Sequence, residues 1–182
     1  DPNHDAYIDG AKPGDFVNSI DSTNYGTELY VINVHFKEDF VLWRKRESGG
    51  GLIGTYGSQS AALDHLAKEG SKAEDHEIIQ TQSHLLLRKD PETGELDKTP
   101  FLMDFASSKL RVSREWNTQI GQLGGDRFSA LWKLNSLQTQ NRAAQKFYNL
   151  NAENQGWVTE EDYEYAKAVS YTHLRAHETV DY

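Results

Sequence analysis

From Leu29 to Phe36 the chain alternates with a period of two. Tyr30, Ile32, Val34 and Phe36 fall on one side and Leu29, Val31, Asn33 and His35 on the other. So many β-branched and aromatic members at that period predict a strand. Lys37-Glu38-Asp39 interrupts it with charge and predicts a turn, with Phe40–Arg46 as the returning strand of a hairpin. Gly49, Gly50 and Gly51 then break the pattern. Ala61, Ala62, Leu63 and Leu66 form an apolar stripe, which predicts a short helix from Ser58 or Gln59 to Ala67 that Gly70 ends. Glu77–Arg88 and Phe101–Phe105 read as strands, joined across Asp90-Pro91-Glu92-Thr93-Gly94, whose proline and glycine suit a turn. Leu110, Ser113, Trp116, Ile120 and Leu123 recur at helical spacing behind a capping Ser107 or Ser108. Their face packs on the sheet while Arg111, Arg114 and Thr118 look out. Phe128–Leu137 and Lys146–Leu150 read as a last strand pair around a polar loop, Gln138–Arg142. A closing helix begins at Thr159, with Asp162 at capping-box spacing. Ahead of all this, Asp1–Pro13 is irregular and Asp15–Ile20 reads as a short first strand.

Hairpin-length connections outnumber crossovers, so the fold class is a β-rich α+β arrangement with a mostly antiparallel sheet and two or three helices. Short connections between many strands suggest an OB-like, partly closed barrel. At 182 residues the chain has the size of one domain, and residues 1–169 are read as that domain.

Composition refines the picture at the chain ends and at the surface. Ser170-Tyr171-Thr172-His173-Leu174-Arg175-Ala176-His177-Glu178-Thr179 reads like a translated sequencing adapter, so residues 170–182 are expected to be a non-native tail and are kept out of the fold reading. Together with the start at Asp1, this is the expected look of a reading frame clipped at both ends of a short metagenomic assembly. Net charge is −9, which excludes a uniformly basic glove for duplex DNA but leaves room for a local basic face. The charge is uneven, with Arg44, Lys45 and Arg46 clustered at one place and Glu160, Glu161, Asp162 and Glu164 at another. There is no cysteine, hence no disulfide framework or thiolate metal site. No apolar run is long enough to span a bilayer, and the expected location is the cytoplasm.

Candidate chemistry is sparse. Gly49, Gly51 and Gly54 fit G-x-G-x-x-G, but a dinucleotide site needs that loop to open into a helix within a βαβ unit, and Thr55-Tyr56-Gly57 intervene. His4, His35, His65, His76 and His84 show no ligand spacing. No serine lies in G-x-S-x-G, and Asp64, Asp75, Asp104 and Asp126 form no recognisable acid pair. Asp104, between Met103 and Phe105, is the first acid to inspect. A binder rather than an enzyme is therefore expected, with no cofactor and no metal. The segment Trp43-Arg44-Lys45-Arg46-Glu47-Ser48-Gly49-Gly50-Gly51 holds what single-strand binding needs: an aromatic face for a base, cations for phosphates and a glycine loop. Alternatively, Trp43 belongs to the core and the cations to a plain strand end. Lys109, Arg111 and Arg114 extend a phosphate track if their helix lies beside that hairpin; otherwise they are a solvated helix face. Lys133 and Lys146 carry the same ambiguity.

Three segments resemble a group of small tailed-phage proteins, some of them described as single-stranded DNA-binding proteins. They are Gly10-Ala11-Lys12-Pro13-Gly14-Asp15-Phe16-Val17-Asn18-Ser19, then Trp43–Arg46 running into Gly49–Gly54, and Phe101–Asn117. The resemblance spans Asp5–Leu150. It implies a compact barrel-like or OB-like core that serves phage DNA replication or recombination, and the single-strand binding expected from the residues is without sequence specificity. It also implies an acidic C-terminus, beginning at Glu160–Glu164, that recruits replication proteins; a homo-oligomer is admitted. Two other readings compete with single-strand binding. One is a phage structural or assembly protein without a nucleic-acid ligand, and the other is an enzyme holding a nucleotide on the glycine loop.

Overall fold

The computed structural model describes residues 8–178. His4 and the last residues of the expected non-native tail, 179–182, lie outside them. In chain order the elements are β1 (Phe16–Val17), β2 (Asn24–Gly26), β3 (Glu28–Arg44), β4 (Leu52–Tyr56), α1 (Gln59–Lys68), β5 (His76–Arg88), β6 (Phe101–Ala106), α2 (Leu110–Gln122), β7 (Ala130–Gln140), β8 (Lys146–Trp157) and α3 (Glu160–Glu178). β1 and β2 form a small ribbon. The main sheet runs β6-β5-β3-β7-β8 with β4 added beside β3, and every described pairing is antiparallel. β6 and β8 do not meet, so the sheet is open. This is the expected β-rich, antiparallel α+β class, in keeping with a partly closed barrel.

β3 organises the sheet. One of its edges pairs with β5 from Val31 to Arg44. Its other edge is shared: β7 takes Glu28–Ile32 and β4 takes Phe40–Trp43. The expected turn at Lys37-Glu38-Asp39 is thus corrected, since one strand runs through it. These residues carry no glycine or proline to bend the backbone, and their charges find partners within the sheet. Lys37 and Asp39, two apart and so on one face, pair at 2.8 Å. Glu38 accepts hydrogen bonds from Gln80 Nε2 (2.9 Å) and Gln82 Nε2 (2.6 Å) on β5.

Both faces of the sheet are covered in part, which explains the nearly unbroken apolar run from Leu29 to Val34. On one face Leu29, Val31, Leu86, Phe105, Trp132 and Leu134 pack against Val112, Trp116 and Ile120 of α2. On the other, Ile32, Val34, Leu85 and Leu87 pack against Ala166, with Tyr163 and Val169 of α3 alongside. A bulge between Asn33 and His35 shifts the alternation by one residue.

Local differences from expectation have local causes. The first strand is only two residues long. Neither Ser107 nor Ser108 caps α2: Ser107 has a left-handed φ of 51°, a 3-10 turn Ser107–Lys109 intervenes, and Lys109 stands at the cap without a side-chain bond. The last pair is longer than expected, β7 reaching Gln140 and β8 reaching Trp157, because a compact turn at 141–145 replaces the looser loop. Thr159 caps α3 as predicted, its Oγ1 accepting from Asp162 N at 3.2 Å. α3 runs on past Ser170, which is buried. No helix among the described residues is long and apolar enough to cross a membrane.

Candidate nucleic-acid interface

Trp43 lies near the end of β3, opposite Glu77 of β5 and Leu52 of β4. It is 39% exposed and Leu52 58%, so the indole is not sealed in the core. Arg44 follows it directly and, by strand alternation, points to the opposite face. The indole and the first cation of the cluster therefore do not share one surface. Arg44, Lys45 and Arg46 make no ion pair with any described residue. Glu47, Glu74, Asp75 and Glu77, however, belong to the same end of the sheet and offset their charge.

The glycine segment here is a fixed connection and does not open into a helix. Gly49, Gly50 and Gly51 all take positive φ, at 108°, 66° and 110°, values at which a Cβ is disfavoured. Arg44 N–H donates to Gly51 O at 2.8 Å, Lys45 N–H to Asp75 O at 2.9 Å and Ser48 Oγ to Asp75 Oδ1 at 3.0 Å. The segment then enters β4. A pyrophosphate loop needs a helix N-terminus at that point.

α2 places Arg114 on the same face as Arg44. Arg114 Nη2 donates to Gln80 Oε1 at 3.2 Å, and Gln80 stands opposite Phe40 as His76 stands opposite Arg44. Four residues of strand separate the two positions, roughly 13 Å. Arg111 is tied to Glu115 at 2.7 Å and stays largely exposed. Lys109 makes no ion pair with a described residue. Lys133 is taken up between Glu28 (3.5 Å) and Glu153 (3.6 Å).

What fixes α2 on the sheet is a buried polar chain that sequence spacing did not single out. Arg127 can only donate, and its Nη1 reaches Asn33 Oδ1 (3.3 Å) and Asn117 Oδ1 (2.8 Å). Asn33 must then present Nδ2 to His84 Nδ1, at 2.8 Å, so that His84 carries its proton on Nε2 and donates to Ser113 Oγ at 2.7 Å. The His84 ring stacks on Trp116 at 4.8 Å and meets Phe105 edge-on at 5.0 Å. Burial, helped by the charge of Arg127, holds His84 down at about 3. Burial lowers Arg127 to about 10, which leaves it charged at neutrality.

A shallow concavity lies where α2 begins. Ser108, Asn141, Gln145, Lys146 and Phe147 line a cleft of about 570 Å³ between the 3-10 turn and the β7–β8 turn. The segments on its two sides, 105–114 and 138–150, contain Lys109, Arg111, Arg114, Arg142 and Lys146 and no carboxylate. Two non-glycine residues with left-handed backbone, Ser107 (φ 51°) and Ala144 (φ 60°), stand beside the lining residues Ser108 and Gln145. Such strain persists where surrounding bonds over-determine it. At Ala144 Asn141 supplies them: its Oδ1 accepts from Ala143 N and Gln145 N, both at 3.0 Å, and its Nδ2 donates to Gln145 Oε1 at 2.8 Å.

Of the expected site residues, Lys109, Arg111 and Arg114 adjoin this cleft's helix, Arg44 shares the Arg114 face, and Trp43 looks away. Arg142 and Phe147 were not anticipated. Their signal was available as two carboxylate-free stretches in an acidic chain. Asp104 is exposed and accepts from Ser83 Oγ at 2.5 Å, an ordinary outward residue on a strand. No group of three or more potential ligands that could hold a metal occurs among the described residues.

A family model described as Pam3 phage gp34-like protein matches residues 1–179. No curated protein and no solved structure matches the chain.

Proposed function

Because the chain belongs to the Pam3 phage gp34-like protein family, and so is a phage protein, we propose that it binds single-stranded DNA without sequence specificity. In this reading it supports phage DNA replication or recombination in the infected cell, and its OB-like character belongs to the same proposal. The observation that carries it is the cleft at the start of α2: in a chain of net charge −9, Lys146 lines it and Lys109, Arg111, Arg114 and Arg142 lie on the segments beside it, only Arg111 among them being paired with a described carboxylate, Glu115. Cations along the rim hold phosphates, and Phe147 gives a base a face to stack on. Arg44 extends the track on the same face, while Lys45 and Arg46 are peripheral. Residues from Ser170 onward are read as a non-native tail with no part in this function, although the family match runs to residue 179 and Ser170 is buried within α3.

Fluorescence anisotropy of a labelled single strand and of a duplex, each at two salt concentrations, tests the proposal. The wild type should prefer the single strand and lose affinity steeply with salt. Arg142→Ala with Lys146→Ala should weaken binding and flatten the salt slope by about 0.7 for each phosphate no longer neutralised. Equal, weak binding by wild type and double variant overturns the reading.

A structural or assembly role is favoured by a different observation. Trp43 and Leu52 are adjacent and exposed on the other face of the sheet, and such apolar pairs mark interaction surfaces. It predicts self-association without oligonucleotide binding, read by sedimentation velocity.

A further inference from the structure

Two of the cleft's side chains, Gln145 and Lys146, have only donors left to offer. Asn141 Oδ1 is occupied by two backbone N–H groups, which turns its Nδ2 toward Gln145 and fixes the orientation of both amides. Gln145 Oε1 is thereby used as an acceptor, and its Nε2 has no partner among the described residues. Lys146 can only donate. Phe147 supplies the flat apolar wall, and the Ser108 hydroxyl adapts to either role.

From this arrangement we infer that the cleft is a base-binding subsite selecting nucleobases with exocyclic carbonyl oxygens, thymine above all, over adenine. The inference rests on the single-strand reading and adds a base preference to it. A thymine stacked against Phe147 offers two carbonyl acceptors to the Gln145 amide and the Lys146 ammonium. Adenine has ring-nitrogen acceptors but no carbonyl, and on its pairing edge N1 stands beside an amino donor, so it meets one of these two donors where thymine meets both. The difference amounts to one hydrogen bond, and the Asn141 bonds that hold the Gln145 amide in one orientation convert it into selectivity.

Oligothymidylate and oligoadenylate of equal length are compared by anisotropy at one salt concentration, for wild type, Gln145→Glu and Gln145→Leu. Wild type should favour oligothymidylate by about three- to tenfold, the range of one hydrogen bond to a neutral partner. Gln145→Glu keeps the acceptor for Asn141 but removes the donors, and Gln145→Leu removes them without adding charge. Both variants should bring the ratio of the two affinities close to one. A ratio unchanged in both variants overturns the inference, because the preference would then come from the stacking of the strands themselves. Equal binding of the two oligomers by wild type overturns it as well and leaves the single-strand reading standing. Failure of wild type to bind either oligomer removes that reading first.

Discussion

In an unfolded chain a histidine takes up its proton near 6.5, whereas folded His84, enclosed by Trp116, Phe105 and Phe36 and facing the charge of Arg127, is held at about 3. Between those values the unfolded state binds one proton more than the folded state, so stability falls as pH falls. The slope is about 1.4 kcal/mol per pH unit, and the effect vanishes above the unfolded value. From pH 6.5 to 5 the loss is therefore roughly 2 kcal/mol, a large share of the ~5–15 kcal/mol that holds a domain together. Carboxylates act lower down. Glu38 is kept below its ordinary value of 4.5 by bonds from Gln82 and Gln80, so the stability it contributes is present above that value and is lost only as pH falls through its lowered one. The interval from 6.5 to 5 lies above the carboxylates, and the difference between the wild-type and His84→Gln profiles over it gives the share of this imidazole. Urea unfolding followed by tryptophan emission at pH 7, 6 and 5 measures it. The wild-type midpoint should fall through the interval. His84→Gln, less stable by about 1–3 kcal/mol because its partners are imperfectly met, should fall by roughly 2 kcal/mol less over the same interval. Parallel pH dependence in the two proteins would refute the neutral, enclosed imidazole.

Two further outcomes separate the roles of individual residues. Trp116→Ala should cost about 3–5 kcal/mol and Trp43→Ala less than about 1 kcal/mol, since one indole is enclosed and the other borders solvent; urea unfolding of the two variants reads the difference. Gly14→Ala should destabilise by more than about 1 kcal/mol in thermal unfolding, because Gly14 has φ 96° and a Cβ there would lie 2.5 Å from the Tyr148 ring.

Most strands are legible because a half- or fully buried strand writes its period into the chain. The run from Leu29 to Phe36, β5, β6 and the amphipathic stripe of α2 all sit where their apolar spacing predicts. β3 reads as two strands because a charged triplet looks like a turn when its neighbours are unknown, and the glutamines that satisfy Glu38 lie more than forty residues away on β5. The same limit applies to the site. Local sequence draws attention to Trp43-Arg44-Lys45-Arg46, where cations and indole are adjacent in the chain yet fall on opposite faces. The cleft joins residues near 108 to residues near 145, and only the folding of the β7–β8 pair against the start of α2 brings them together. His84 gives no signal, because one histidine among apolar neighbours is spelled the same way in a core as in a site.

Along the second edge of β3, no described strand pairs between Ile32 and Phe40. A strand edge without a neighbouring strand invites a foreign one to add itself, which is how sheets join between molecules, although here Arg127 lies against the stretch, reaching Asn33 and covering the Phe36 ring. The triplet Lys37-Glu38-Asp39 lies in that gap. Its charges, too well partnered to bend the chain, would have to be desolvated by any intruding strand, so they guard the molecule against fibrous association.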